Sequence, residues 1–93
     1  MAQEFEWDDD ERTANITKHD VDFALVTRVF DGATLDRPDD RDEYGEERVI
    51  AFGQHEGVVY RVVYTLRGDV IRIISAQKAS RHDRERYYKT VFS

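Results

Sequence analysis

The sequence predicts an α+β domain with an N-terminal helix hairpin, an antiparallel meander of about four strands and a C-terminal helix. Two stretches rich in β-branched residues, Val58 to Leu66 and Val70 to Ala76, are joined by the short turn Arg67-Gly68-Asp69. Consecutive strands joined by tight turns pair in an antiparallel sheet. Helix-capping residues stand on both sides of this strand-rich region. With 93 residues, the chain is predicted to form one domain, residues 1–93.

The N-terminal third predicts a short strand or arm followed by two helices. Phe5 to Trp7 offer two aromatic side chains to a core. Asp8 is a suitable N-cap for a helix from about Asp9 to Thr17. Asp22 is placed to cap a second helix, which Asp31-Gly32 would end. These two helices would form the hairpin.

The middle of the chain predicts further strands around an acidic loop. Ala33 to Leu35 predict a short strand, and Asp36 to Glu47 predict a polar loop that contains the only proline. Arg48 to Gly53 predict the next strand. Because side chains alternate along a strand, Arg61 is expected on the side of Val59 and Val63, and Arg72 on the side of Val70, Ile74 and Ala76.

The last helix is predicted to begin at Ser80, since Ser80 and Asp83 have the spacing of a capping box. Lys78, Arg81 and His82 crowd this N-terminus. Cations are disfavoured at the N-terminal end of the helix dipole. An anion bound among these side chains and the free backbone N–H groups would remove that penalty.

Charge is distributed unevenly along the chain, whose formal net charge is −6. Residues 1–47 contain 16 acidic and 5 basic residues, whereas residues 48–93 contain 4 acidic and 9 basic ones. Such asymmetry bears on the partners of a protein rather than on its fold. The asymmetry predicts that the basic half binds a polyanion, and that the acidic half contacts a different partner or only solvent.

Missing residues and motifs exclude several function classes. The chain has no cysteine, so it has neither a disulfide nor a thiol nucleophile. It lacks a nucleotide-binding loop and a nucleophile elbow, and its three histidines are too scattered for a metal site. No cofactor and no metal are therefore expected. An apolar run of membrane-spanning length and a signal peptide are also missing, which predicts a cytoplasmic protein without a membrane partner.

The remaining polar residues suit cleavage of RNA without a metal ion. In that reaction the ribose 2′-hydroxyl attacks the adjacent phosphate, so the protein moves protons and stabilises charge on the phosphoryl oxygens. We expect the groups that do this to meet in a single pocket on the sheet. The cations are Lys18, Arg48, Arg72, Lys78 and Arg81, and the candidate proton-transfer groups are His19, Glu47 and Tyr64.

Most of these candidates also have a purely structural interpretation. Arg72 can form an ion pair with a carboxylate of the acidic half. His19 can be a hydrogen-bonded residue of the helix bend. Glu47 and Arg48 can pair with neighbours across the strand, and Tyr64 can belong to the core.

Taken together, the residues resemble the BrnT family of toxins from type II toxin–antitoxin systems. The resemblance extends over nearly the whole chain and implies a RelE-like ribonuclease fold. It further implies RNA cleavage that arrests bacterial growth, and neutralisation by a BrnA-like ribbon-helix-helix antitoxin that supplies the contacts to promoter DNA. The motifs that carry it are FEWD (5–8), NxxKHxVxF (15–23), VF (29–30), YGEER (44–48), RGDxIRIISA (67–76) and KAS (78–80).

Seven of the candidate positions match the family motifs: Lys18, His19, Glu47, Arg48, Arg72, Lys78 and Ser80. The sequence departs from the family pattern at three positions. Asp20 stands in place of a common glycine, Gln77 in place of a common arginine, and Asp83 in place of a common glutamate.

We therefore predict a metal-independent endoribonuclease toxin. Its predicted catalytic residues are His19, Glu47, Arg48 and Arg72. Its predicted RNA phosphate-binding residues are Lys18, Lys78, Ser80 and Arg81. The alternative is a module that binds protein or nucleic acid and does no chemistry, because a basic sheet beside an acidic half suits that role equally well.

Overall fold

The structure is a computed structural model that describes residues 2–41 and 43–92. It confirms the predicted α+β class. Helices pack on both faces of one five-stranded sheet. The elements are β1 (Phe5–Glu6), α1 (Asp9–His19), α2 (Phe23–Val26), a 3₁₀ helix (Thr27–Asp31), β2 (Leu35–Pro38), β3 (Val49–His55), β4 (Val58–Arg67), β5 (Val70–Lys78) and α3 (Arg81–Val91).

The sheet has the strand order β1-β5-β4-β3-β2 and is mixed. Each of β2, β3 and β4 pairs antiparallel with the next strand in the chain. The short β1 adds a fifth, parallel strand, with Glu6 opposite Arg72. This addition differs from the predicted four-stranded antiparallel sheet. It occurs because β5 has a free edge, where the Ile71 N–H donates to the Glu4 carbonyl at 3.0 Å.

Helix α1 begins where it was predicted and ends two residues later. The Asp8 side chain accepts a hydrogen bond from the Glu11 N–H at 3.0 Å, which confirms the N-cap. The helix continues through Lys18 and His19, since cations are favourable at its C-terminal end. Asp20 ends it with φ 56°, in the left-handed region that favours glycine.

The predicted second helix is short. Asp22 caps α2, accepting from the Ala24 N–H at 3.0 Å, but α2 has only four residues before the 3₁₀ helix takes over. This segment contributes three fully buried side chains to the core, Phe23, Val26 and Val29. Gly53 on β3 allows the close approach, because a Cβ at that position would lie 2.9 Å from the Val29 Cβ.

Two cores lie on opposite faces of the sheet. The core under α1, α2 and the 3₁₀ helix contains Val62 and Ile73, and the core under α3 contains Phe52, Val63 and Tyr87. The Tyr87 hydroxyl donates to the Ala33 carbonyl at 2.9 Å, which fixes α3 to the segment before β2. Side chains of the sheet thus belong either to the helix α1 face or to the helix α3 face.

The acidic segment begins as a strand rather than as a loop. The prediction placed a strand at Ala33 to Leu35 and a loop from Asp36 onward, but β2 runs from Leu35 to Pro38. Pro38 lies opposite Val49 on β3. Proline is tolerated here because β2 is an edge strand, where one side of the backbone needs no partner.

A β-bulge changes the face of one predicted residue. Ile73 lies opposite Tyr64, but Ser75 lies opposite Val63, so Ile74 is an additional residue in β5. Ala76 therefore packs with Ile73 in the core under α1 and not on the side of Arg72. The prediction for Ala76 was wrong because strict alternation fails at a bulge.

Among the helices within the described parts of the chain, none combines the length and the apolar composition that a membrane span requires.

Candidate active site

The predicted site residues form two groups at opposite ends of β5. Arg72 lies opposite Thr65 on β4, whereas Lys78 lies opposite Tyr60. Six residues of a strand separate Arg72 from Lys78, a distance of about 20 Å. The expectation of a single pocket was therefore wrong, because Arg72 and Lys78 lie near opposite ends of the extended strand β5 instead of converging.

The first group contains Glu47, Arg48 and Arg72. The register of β3 and β4, with Val49 opposite Tyr64, brings Arg48 opposite Thr65. Since Thr65 also lies opposite Arg72, the backbones of Arg48 and Arg72 are two strand spacings apart, about 10 Å. The buried Thr65 hydroxyl donates to the Glu47 carbonyl at 2.7 Å and so fixes Glu47 to this row.

Arg72 is held in place by an ion pair. Its Nη1 lies 3.0 Å from Glu6 Oε2, and Glu6 is its neighbour on β1. This confirms the structural interpretation, an ion pair with a carboxylate of the acidic half. The Arg72 side chain is still 24% exposed, so the ion pair orients Arg72 and leaves part of it accessible to solvent.

Arg48 lies against an aromatic ring. Its guanidinium carbon is 3.9 Å from the centre of the Tyr44 ring, a cation–π arrangement. Its Nε lies 3.4 Å from Glu46, which also contacts Arg67 at 3.5 Å. Arg48 thus pairs with a residue two positions earlier and not, as predicted, across the strand.

A groove of about 780 Å³ lies beside Arg48. Tyr64 lines it and also belongs to the core, as its structural interpretation predicted, since its ring packs on Phe30 at 5.5 Å. Burial, followed by the neighbouring Asp36 carboxylate, raises the pKa of Tyr64 above its ordinary value. Among the described residues, six carboxylates line the groove and repel a phosphate except where it contacts Arg48: Asp36, Asp39, Asp40, Glu43, Glu46 and Glu47.

The second group lies at the end of β5. The chain passes from Glu6 beside Arg72 to Asn15 beside Ala76, so α1 runs along β5 in the strand direction. Lys18 and His19 follow Asn15 by about one helical turn. They therefore lie at the same end of the sheet as Lys78, Ser80 and Arg81.

The N-terminus of α3 has the predicted cap. The Ser80 hydroxyl accepts from the Asp83 N–H at 3.2 Å. Arg81 Nε donates to Glu85 at 3.1 Å, which relieves part of the repulsion expected among cations at this helix end. Lys78 and Arg81 are both exposed, so they are accessible to an anion in solution.

The prediction missed two arginines on the helix α3 face. Arg61 lies directly opposite Phe52, and the Arg37 guanidinium carbon is 5.4 Å from the centre of the Phe52 ring. Burial, followed by the positive charge of Arg41, lowers the pKa of Arg61. Strand alternation predicted that Arg61 lies on the same side as Val59 and Val63, and this was the feature of the sequence that pointed to it. The alternation did not show which strands supply the neighbouring cations.

Within residues 2–41 and 43–92, no three or more His, Asp and Glu side chains are grouped so that they could hold a metal ion.

The comparison with protein families decides the class of this protein. The model of the family described as "Ribonuclease toxin, BrnT, of type II toxin-antitoxin system" matches residues 7–83. The chain belongs to the BrnT family. This BrnT toxin is accordingly a ribonuclease of a type II toxin–antitoxin system, with RNA as its substrate and an antitoxin as its partner. A search among curated proteins found no match.

Proposed function

We propose that the toxin is a metal-independent endoribonuclease with a RelE-like fold that cleaves bacterial RNA and arrests growth. The observation that carries this proposal is the row of Arg72, Thr65 and Arg48 across the sheet, with Glu47 attached to it through the Thr65 hydroxyl. This row offers two guanidinium groups within about two strand spacings, and the main chain of Glu47, whose side chain is a carboxylate, is hydrogen-bonded to its middle residue. These are the groups that 2′-hydroxyl attack on a phosphate requires.

In this proposal each group of the row has one role. Glu47 takes the proton of the attacking 2′-hydroxyl as general base. Arg48 and Arg72 bind the phosphoryl oxygens, where negative charge develops in the transition state. The leaving 5′-oxygen is protonated from solvent. Pairing with Glu6 and stacking on Tyr44 keep the two guanidinium groups oriented before RNA binds.

The group at the other end of β5 binds RNA phosphates next to the scissile one. Lys18, Lys78 and Arg81 supply positive charge, and Ser80 begins the helix whose N-terminus favours an anion. His19 belongs to this end of the sheet, so we assign it to RNA binding. Glu47 then remains as the proton-transfer residue.

Cleavage in the presence of a chelator tests the proposal. The purified toxin, freed of its antitoxin, is incubated with RNA in EDTA, and the RNA ends are mapped. We expect cleavage by the wild type and a loss of about 100-fold or more in Glu47→Gln. Arg72→Ala should lose activity to a similar extent. RNA that stays full-length with the wild-type toxin would contradict the proposal.

Two further variants make this experiment sharper. Arg28→Ala removes a cation from the 3₁₀ helix, where Arg28 pairs with Asp31 at 3.7 Å, and should cleave as the wild type does. His19→Gln should weaken RNA binding but still cleave saturating RNA. If His19→Gln abolishes cleavage at saturation while Glu47→Gln does not, the reaction centre lies at the end of β5.

We further propose that a BrnA-like ribbon-helix-helix antitoxin neutralises the toxin and provides the contacts to promoter DNA. The acidic first half of the chain supports this assignment, because a surface of that charge repels DNA phosphates. Co-expression should restore growth, and promoter DNA should be shifted by the complex but not by the toxin alone. A shift by the toxin alone would contradict the second part.

A further inference from the structure

Arg61 lies between the two groups of site residues, on the same face of the sheet as Arg72. On β4, Arg61 is opposite Gln77 of β5, one residue from the level of Lys78 and four residues along β4 from Thr65, which is opposite Arg72. Arg61 and Thr65 are four residues apart on one strand and therefore point to the same face. That face is the helix α3 face, because Val59 and Val63 on either side of Arg61 pack in the core under α3.

Arg61 is partly buried and, within the described residues, is not paired with a carboxylate. Among the described residues, none forms a hydrogen bond or an ion pair with its guanidinium. Asp39 acts on Arg61 through its charge, while its oxygens accept hydrogen bonds from Arg41 at 2.7 and 2.8 Å. A partly desolvated cation without a paired anion is costly to the folded state.

Further cations surround Arg61. The Arg37 guanidinium lies over Phe52, the residue directly opposite Arg61, so both arginines flank one aromatic ring. The charges of Arg41 and Arg37 act unfavourably on that of Arg61, whereas Asp39 and, more weakly, Asp83 at the start of α3 act favourably. A second anion at this place would compensate for the repulsion between Arg37 and Arg61.

We propose that Arg61 and Arg37 bind a phosphate of the RNA backbone midway between Arg72 and Arg81. This inference rests on the proposed function and extends it. On the helix α3 face, an RNA strand would then contact Arg72, the pair Arg61 and Arg37, and Arg81 at the start of α3. Lys78 is opposite Tyr60 and so lies on the helix α1 face. Guanidinium groups suit this role, because they bind phosphate with two parallel hydrogen bonds.

Binding of an RNA that cannot be cleaved tests the inference separately from catalysis. The probe is a single-stranded oligonucleotide in which every ribose carries a 2′-O-methyl group, and affinity is measured by fluorescence anisotropy at several salt concentrations. We expect Arg61→Gln to lower the affinity about tenfold to a hundredfold. The salt dependence of log K should fall by about 0.7, the value for one contact to a single-stranded phosphate.

Arg28→Gln is the matched control. It also removes one positive charge, but from the 3₁₀ helix, which packs on the helix α1 face of the sheet and not on the face of Arg61. It should change the affinity by less than about threefold, as a charge without a phosphate contact does. Equal affinities of Arg61→Gln and Arg28→Gln would overturn the inference. Cleavage of ordinary RNA by the wild type in EDTA is measured in parallel, so failure of the proposed function is recognised independently.

Two other measurements complete the test. Arg61→Met should unfold at the same or a higher temperature than the wild type, because it removes an unpaired charge from a partly buried place. If Arg61→Gln does not fold, Arg37→Gln on the edge strand should show the same loss of RNA affinity. If inorganic phosphate stabilises the wild type through Arg61 but RNA affinity does not depend on Arg61, the site takes a free phosphate and the RNA assignment is overturned.

Discussion

The side chain of Asn15 binds both main-chain polar groups of Ala76. Its amide nitrogen donates to the Ala76 carbonyl at 2.8 Å, and its oxygen accepts from the Ala76 N–H at 3.1 Å. The same nitrogen donates to the Val21 carbonyl at 2.8 Å. Asn15 thereby satisfies the edge of β5 as a neighbouring strand would. It also fixes the end of α1, with Lys18 and His19, against β5.

Replacement of Asn15 by alanine should destabilise the toxin strongly. The change leaves the Ala76 N–H and carbonyl without partners in a place where Asn15 is only 6% exposed. Unpaired buried polar groups cost about 1–3 kcal/mol each, so we expect the free energy of unfolding to fall by about 2–4 kcal/mol. Urea denaturation measures this value.

Thr17→Ala on the same helix is the control for Asn15. Thr17 is exposed and donates only to the Thr13 carbonyl within α1, at 3.2 Å. Its replacement should change the free energy of unfolding by no more than about 0.5 kcal/mol. A similar loss in both variants would mean that helix α1 itself, and not its attachment to β5, determines the effect.

Asp20→Gly should stabilise the toxin. Asp20 has φ 56°, a conformation that glycine adopts without the steric penalty of a Cβ. We expect the free energy of unfolding to rise by about 0.5–1 kcal/mol, because the penalty for a Cβ in this region, about 1–2 kcal/mol, exceeds the entropic cost of glycine, about 0.5–1 kcal/mol. Chemical denaturation measures this change. Asp20→Ala is the counterpart and should lower it, because alanine is strained at positive φ. A gain in stability with alanine would show that the carboxylate, rather than the backbone, is unfavourable.

The stability of the toxin should fall in acid through Asp22. A hydrogen bond from Arg12, followed by one from the Ala24 N–H, lowers the pKa of Asp22 from 3.8 to about 2. A carboxyl group whose pKa is lower in the folded state stabilises the fold above its unfolded pKa. This contribution is lost as the pH falls toward the folded pKa. The free energy of unfolding should therefore decrease between about pH 5 and pH 2.

Arg12→Gln tests the origin of this acid sensitivity. Arg12 Nη2 lies 2.8 Å from Asp22 Oδ2, so the variant should raise the pKa of Asp22 toward its ordinary value. Denaturation at a series of pH values, together with an NMR titration of the Asp22 carboxyl, gives both quantities. An Asp22 pKa that stays near 2 in the variant would refute the role of Arg12.

Thr65→Val should slow cleavage without weakening RNA binding. The variant keeps the shape of the buried side chain but loses the donor to the Glu47 carbonyl. Glu47 would then be held less firmly, and we expect kcat to fall about tenfold while KM stays similar, as for a positioning residue. Thr90→Val near the end of α3 is an exposed control. A change confined to KM would indicate that Thr65 contributes to RNA binding instead.

Local interactions could be predicted from the sequence because each joins residues a few positions apart. The three predicted caps are confirmed, because each capping side chain accepts a hydrogen bond from a backbone N–H group: Asp8 from Glu11, Asp22 from Ala24, and Ser80 from Asp83. The position of Arg61 beside Val59 and Val63 follows from strand alternation and is confirmed as well. The family resemblance is also a property of the sequence, and the match over residues 7–83 confirms it.

Only the tertiary structure decided how distant side chains are combined. The pairing of Glu6 with Arg72 depends on the parallel addition of β1, and the face of Ala76 depends on one additional residue at Ile74. The register of β2 on β3 sets the contact of Arg37 with Phe52. Register depends on which apolar side chains are buried and on the geometry of the turns. A shift of one residue changes which side chains share a face, so spacing in the sequence does not determine the composition of the site.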